Sequence, residues 1–425
     1  MRTWHRYRPF AARLALVLSV VGPGIITANV DNDAGGITTY SVAGAHYGYT
    51  TLWIMPLLAL SLILVQEMSA RLGVVTGKGL ADLIRESLGV RITTVALGVL
   101  LFANLANTVS EFAGVAASME IFGVSKFISV PIAAALVWLL IVRGNYKTVE
   151  RVFLVASAIY LAYVIAGIRE RPNWSLIGQS MVTPTFRFET GYITILITII
   201  GTTIAPWMQF YQQSAIADKG LKPSDYPYAR FDVIVGSLFA IGVAVFITIS
   251  CAATLHAGGV RIETAKDAAL ALRSLAGRFS STLFAFGLLN ASLFSAAILP
   301  LSTAYVVCEA FGWESGVSRK IRQAPTFFGI YTAFIVIGAG IVLLPVKSLV
   351  QTMIVSQTLN GILLPLVLVV MLILVNDKGL LGEKYVNRTL LNALAIVVIV
   401  ALTALTAVLV ITSIAPAASP LPAGG

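Results

Sequence analysis

Charge is what this sequence has least of. Only 11% of its 425 residues are Asp, Glu, Lys or Arg, against about 25% in a soluble domain. That scarcity argues against a water-soluble globular chain. A mean hydropathy of +0.89, with repeated apolar runs of bilayer length, places it among polytopic helical membrane proteins. Cysteine is nearly absent: Cys251 and Cys308 lie in different apolar stretches, which excludes a disulfide framework and a thiolate metal cage. The three histidines, His5, His46 and His256, fall in the N-terminal tail or at span edges. No imidazole titrating near neutral pH therefore sits in the membrane core.

Positive charge is in excess, at +10 net, which would suit a nucleic-acid partner. The basic residues instead cluster in short loops between apolar runs, as positive-inside topology requires, and no nucleic acid is expected. The basic start, Met1 to Arg13, precedes Leu14-Ala15-Leu16-Val17-Leu18 in the manner of a secretory leader. The apolar stretch continues into Gly22-Pro23-Gly24 without a cleavage site, so it is read as part of a span.

Eleven spans are expected, over 14–49, 50–73, 91–123, 126–143, 150–168, 190–215, 230–256, 279–312, 325–345, 349–375 and 389–413. With the N-terminus inside, 20 of the 29 lysines and arginines fall in inner loops. The expected topology is thus a multi-pass protein of the plasma (inner) membrane, N-terminus cytoplasmic and C-terminus outside. Residues 1–413 form one transmembrane transport domain, and 414–425, rich in Pro, Ala and Gly, form a disordered tail.

Against this apolar background, the first span carries Asp31-Asn32-Asp33-Ala34-Gly35-Gly36 near its middle. A charged group at the bilayer centre costs at least about 2.5 kcal/mol. The glycines add a cost by weakening helix and freeing carbonyls where no water exists. Both costs are tolerable if the break lines a cavity and its oxygens hold a cation. The sixth span is interrupted too, at Gly201-Thr202-Thr203-Ile204-Ala205-Pro206-Trp207-Met208-Gln209, where Pro206 has no N–H to donate. Spans one and six enter the membrane from opposite sides. Breaks at corresponding places in two halves point to an inverted-repeat transporter with its site at the midplane. The expected fold is all-α, with an inverted 5+5 repeat (LeuT-like) over 14–168 and 190–375, broken helices 1 and 6, and an extra helix at 389–413.

The sequence resembles the Nramp-type divalent metal transporters over nearly its whole length. The resemblance rests on Gly22-Pro23-Gly24, Tyr47-Gly48-Tyr49, Ser69-Ala70-Arg71-Leu72-Gly73 with Thr76-Gly77-Lys78, Ser356-Gln357 with Pro365, and Gly382-Glu383. That family carries Asp-Pro-Gly-Asn in its first span and Met-Pro-His in its sixth. Counting from Gly22-Pro23-Gly24 and around Pro206 puts its aspartate on Asp33, its asparagine on Gly36, its methionine on Ala205 and its histidine on Trp207. Loss of the soft thioether and of one amide oxygen leaves a wider, oxygen-only site. Such a site suits Mg2+, which dehydrates reluctantly, and removes what favours softer metals. This pattern is similar to the Nramp-related magnesium transporters, whose substrates include Mg2+ and Mn2+.

The resemblance implies a substrate-ion site at Asp33, Gly36 and Ala205, with backbone oxygens near Val30 and Thr202 and an approaching Gln357. Asp31 is expected as a partner of the site and Asn360, three residues after Gln357 on the same face, as the holder of a retained water. Each also has a plain structural reading: Asp33 as a helix cap, Gln357 and Asn360 as interhelical hydrogen bonds. On the family's proton route, Glu111 is kept, whereas Thr108, Trp207 and Gln212 replace an aspartate and two histidines. Transport without obligatory proton coupling is therefore expected, by a protein that is no enzyme, needs no cofactor and works as a monomer in the lipid bilayer, its divalent cations being substrates. The alternative is a proton-coupled Mn2+/Fe2+ transporter, which needs a thioether or imidazole near the sixth break; Met208, three residues past Ala205, is expected to face elsewhere. A sodium-coupled amino-acid transporter shares the fold but not the loop motifs. An aspartyl protease needs its two carboxylates on different helices, unlike Asp31 and Asp33.

Overall fold

The computed structural model describes residue 27 and residues 30–143, 157–317, 319–345 and 347–414. Gly22-Pro23-Gly24, the start of the first span, the start of the fifth and the tail lie outside these. Every regular element among the described residues is helical. We label α1 Ala34–Tyr47, α2 Ile54–Thr76, α3 Leu80–Glu120, α4 Lys126–Val142, α5 Leu161–Arg169, α6 Thr190–Thr203, α7 Pro206–Asp218, α8 Tyr226–Cys251, α9 Ser280–Phe311, α10 Pro325–Leu343, α11 Leu349–Val375 and α12 Thr389–Ile414.

Among the described residues, eight stretches are long and apolar enough to cross a membrane, α6 and α7 together making one of them. Two apolar helices are shorter, Lys126–Val142 and Ala158–Arg169, and α1 has 14 residues. The expected third span, 91–123, starts earlier: α3 begins at Leu80 and turns at Gly89, whose φ is 79°. Asp82, Arg85 and Glu86 make that first stretch polar. Hydropathy therefore does not register it, although it is helical.

The most enclosed helix is α1, in which every residue from Ala34 to Ala45 is buried. It packs against α3, α6, α8 and α11, while α3 runs along α9 and α11. In a membrane protein, burial among helices is achieved by close fit rather than by expulsion of water. Glycines supply that fit. A Cβ on Gly201 of α6 would strike the Gln357 carbonyl and the Gly361 backbone of α11. One on Gly361 would strike the Ile197 carbonyl of α6 in return. These two backbones cross in direct contact, and the crossing brings Gln357 over the first-span break.

At the end of α2, buried Arg71 pairs with Glu67 at 3.2 Å. It also donates to the Tyr385 carbonyl at 2.9 Å and to Asn387 Oδ1 at 2.5 Å. Glu67 accepts a further bond from the Tyr226 hydroxyl. Glu67 thus pairs with a basic residue one turn along its own helix.

Candidate ion site at the helix breaks

Val30 and Asp31 are helical, Asn32 and Asp33 are not, and α1 begins at Ala34. Asp33 has extended backbone and its Oδ1 accepts from Gly36 N at 2.6 Å. It is the N-cap of α1, at the positive end of that helix dipole. The Asn32 carbonyl, released from helix, accepts from the Tyr160 hydroxyl at 3.0 Å. Across from it, α6 ends at Thr203 and α7 restarts at Pro206, with Ile204 and Ala205 between. Pro206 cannot serve the Thr202 carbonyl as the next helical N–H would. The Ala205 N–H does not serve Gly201, because it points to Met208 Sδ at 3.3 Å. Tyr40 of α1 ties the two breaks together through Thr203 Oγ1 at 2.8 Å.

The breaks meet at Gly36. A Cβ built there would lie 2.6 Å from the Asp31 carbonyl oxygen, 3.2 Å from Thr202 Oγ1 and 3.3 Å from Asp33 Oδ1. Three oxygens thus converge on Gly36, closer than a side chain there would allow. The Thr202 hydroxyl and both carboxylate oxygens of Asp31 have no hydrogen-bond partner, and Asp31 is 2% exposed. Buried polar groups without partners cost free energy unless water or an ion completes them. Among the described residues no three His, Cys, Asp or Glu side chains form a metal cage. An ion here would draw on carbonyl, hydroxyl, carboxylate and water oxygens.

Two groups from the long helices close over Asp33. Glu111 of α3 accepts from Ala34 N through Oε2 at 3.2 Å and contacts the Asp33 carboxyl. Gly114, one turn on, permits this approach, since a Cβ there would strike Ala34 and Ser292. Gln357 of α11 lies over Gly35, with Nε2 its nearest atom, and faces the Asp33 carboxyl. Its Oε1 is turned away and accepts from Asn360 Nδ2 at 2.8 Å.

The structure therefore gathers Asp31, Asp33, Gly36, Thr202 and Gln357 in one place, with Val30 fully buried beside them. Other expected residues stand differently. Asn360 is engaged with Asn107 and Gln357 rather than set to hold a water. Thr108 donates to the Asn104 carbonyl at 2.7 Å within its own helix. Trp207 is buried with its ring near Tyr211. Gln212 donates to the Gln66 carbonyl at 3.2 Å, on α2.

One expectation needs revision. Met208 does not face elsewhere: its sulfur folds back one turn onto the N–H of Ala205, the N-cap of α7. Glu111, expected on the family's proton route, lies at the break itself. Asn107 and Gln209 were not anticipated. Gln209, with its amide oriented by its partners, donates to the Ala205 and Pro206 carbonyls at 2.9 and 2.8 Å. The signal for Asn107 was available: Asn104, Asn107, Thr108 and Glu111 recur at helical spacing within an apolar span.

A family model described as natural resistance-associated macrophage protein-like matches residues 24–412. A divalent metal cation transporter, MntH, of Yersinia pestis (strain Pestoides F) is 29% identical over 384 residues, covering 88% of this chain and 90% of that one. The MntH of Aeromonas hydrophila is 27% identical over 383 residues, with coverage of 86% and 89%. Among solved structures, a manganese transporter of Eremococcus coleocola superposes with a TM-score of 0.79 at 22% identity, covering 95% of this chain and 88% of that one. A nucleobase-cation-symport-1 family transporter superposes at 0.55 and 14% identity, covering 92% of this chain and 91% of that one. Those likenesses establish a shared transporter fold.

Proposed function

The chain belongs to the Nramp family, and on that footing we propose that it carries divalent metal cations across a membrane by alternating access, Mg2+ and with it Mn2+, as partly hydrated ions. The observation that carries the reading is the cluster of oxygens that converges on Gly36: Asp31 O, Thr202 Oγ1 and Asp33 Oδ1. Its donors are hard, and it lacks the side chain through which the family presents an amide oxygen. An all-oxygen donor set suits Mg2+, which usually keeps part of its water shell. Asp33 is the anionic anchor, α1 and the end of α6 supply dipoles and carbonyls, and Asp31 adds a second buried carboxylate. That its relatives are a divalent metal cation transporter and a manganese transporter supports divalent metal as the cargo.

On this reading the two halves, 14–168 and 190–375, rock about the breaks, in a monomer of the inner membrane with the N-terminus cytoplasmic. The membrane potential drives entry, at about 2.3 kcal/mol per elementary charge per 100 mV.

Two observations favour a second reading, proton-coupled Mn2+ or Fe2+ transport. A thioether does reach the sixth break, on Met208, and a carboxyl able to carry a proton, Glu111, touches Asp33. Against it, the sulfur is already hydrogen-bonded to Ala205 N. Calorimetric titration of Mg2+ and Mn2+ decides between them. Asp33→Ala should abolish binding of both ions. Met208→Leu should leave the Mg2+ to Mn2+ affinity ratio unchanged on the first reading; a selective loss of Mn2+ would establish the second.

A further inference from the structure

Beside the ion site runs a closed chain of three side-chain amides. Asn107 of α3 and Asn360 of α11 face each other and exchange two bonds: Asn107 Nδ2 donates to Asn360 Oδ1 at 3.1 Å, and Asn360 Nδ2 donates to Asn107 Oδ1 at 2.9 Å. Asn360 Nδ2 also donates to Gln357 Oε1 at 2.8 Å. All three residues are at most 1% exposed, so water does not compete for these bonds. With Oε1 held by Asn360, the other end of the Gln357 amide, Nε2, lies over Gly35.

An amide has a donor end and an acceptor end of nearly equal size. If all three amides turn over together, every bond is remade with donor and acceptor exchanged. Gln357 Nε2 then donates to Asn360 Oδ1, the Asn107–Asn360 pair keeps its two bonds, and Gln357 Oε1 faces the Asp33 side. The two arrangements contain the same number of hydrogen bonds, so what selects between them is the charge next to Asp33. A bare carboxylate prefers the N–H end; a cation prefers the oxygen end.

We propose that Gln357, Asn360 and Asn107 form a concerted amide switch that registers whether a divalent cation sits beside Asp33 and relays that state from α11 to α3. The proposal rests on the ion-site reading above. It makes Asn360 and Asn107 positioning residues, acting through Gln357. Asn107 lies one helical turn before Glu111, so the relay ends beside the other group that contacts Asp33. Both states pre-exist, and ion binding shifts their populations.

Two isosteric substitutions test it because only one of them fixes the Gln357 amide. Asn360→Asp supplies only acceptors, which obliges Gln357 to donate and turns its oxygen to the ion. Asn107→Asp accepts one N–H from Asn360 in either arrangement, so it adds the same charge without fixing Gln357. Titration of the full-length protein in nanodiscs with Mg2+ should show binding about tenfold tighter for Asn360→Asp than for Asn107→Asp, the scale of one charge-assisted hydrogen bond. Both variants add one negative charge near the site, so simple electrostatics would tighten both alike; equal shifts, or none, would overturn the switch. Should either variant fail to fold, side-chain 15N amide resonances of the wild-type protein give the answer. Adding diamagnetic Mg2+ should move the signals of Asn107 and Asn360 with that of Gln357, and movement of Gln357 alone refutes the relay. A wild-type chain that binds no Mg2+ would fail the ion-site reading itself, and the switch with it.

Discussion

Adding one methyl group at Gly36 would put a carbon 2.6 Å from the Asp31 carbonyl oxygen, well inside van der Waals contact, in backbone already held by the Asp33 cap. Gly36→Ala should therefore displace the Asp31 carbonyl from the oxygen cluster and reduce Mg2+ flux into proteoliposomes by at least about tenfold, the loss of roughly one good ligand interaction. Undiminished flux would mean that the ion does not use this cluster. Ala205 makes the complementary case. Its amide holds the Met208 sulfur, so a thioether placed on residue 205 would be free of that bond and open to a metal. Ala205→Met should move the preference toward Mn2+, the softer ion, in a competition titration. An unchanged ratio would count against the idea that soft-ligand loss sets selectivity.

The elements are placed by where backbones can touch. Gly201 and Gly361 bring α6 and α11 together without intervening side chains, and the register of that crossing sets Gln357 over Gly35. Because the obstruction at Gly361 is the Ile197 carbonyl rather than a movable side chain, Gly361→Ala should lower the thermal midpoint and impair transport together. Gly340, on the exposed side of α10 with nothing within 4 Å of its Cβ position, is the control: Gly340→Ala should be neutral or stabilising by up to about 1 kcal/mol, the helix-propensity gain. Equal behaviour of the two variants would remove the argument. At the far end of α2, Arg71 is 4% exposed and bonded to Glu67, Tyr385 and Asn387. Removing it strands a buried carboxylate, a loss of about 3–5 kcal/mol for such pairs. Arg71→Ala should thus unfold at markedly lower denaturant, and Glu67→Gln in the same background should recover part of the loss.

For the whole molecule the open issue is what moves with the ion. A divalent ion crossing alone carries two charges, so an imposed inside-negative potential should accelerate Mg2+ entry into proteoliposomes. Each 100 mV contributes about 4.6 kcal/mol to the driving force for a doubly charged ion. A pH-sensing dye in the lumen should report no matched acidification. Acidification that tracks metal entry, and disappears in Glu111→Gln, would make the contact of Glu111 with Asp33 a proton route and transfer support to the second reading.

Composition alone determined that this is a helical membrane chain, because in lipid every backbone polar group must be satisfied within a helix and few charges are tolerated. The positions of Asp33 and Pro206 were equally legible, since a carboxylate and a proline inside apolar runs contradict the local pattern that surrounds them. The sequence did not reveal that Met208 returns to Ala205, that Glu111 lies on Asp33, or that Asn107, Asn360 and Gln357 share one chain of bonds. Residues 77, 78 and 253 positions apart in sequence become neighbours only when glycines let three helices approach, and side-chain orientation follows from that approach. Periodicity shows which face of a helix is polar; only packing decides which other face it meets.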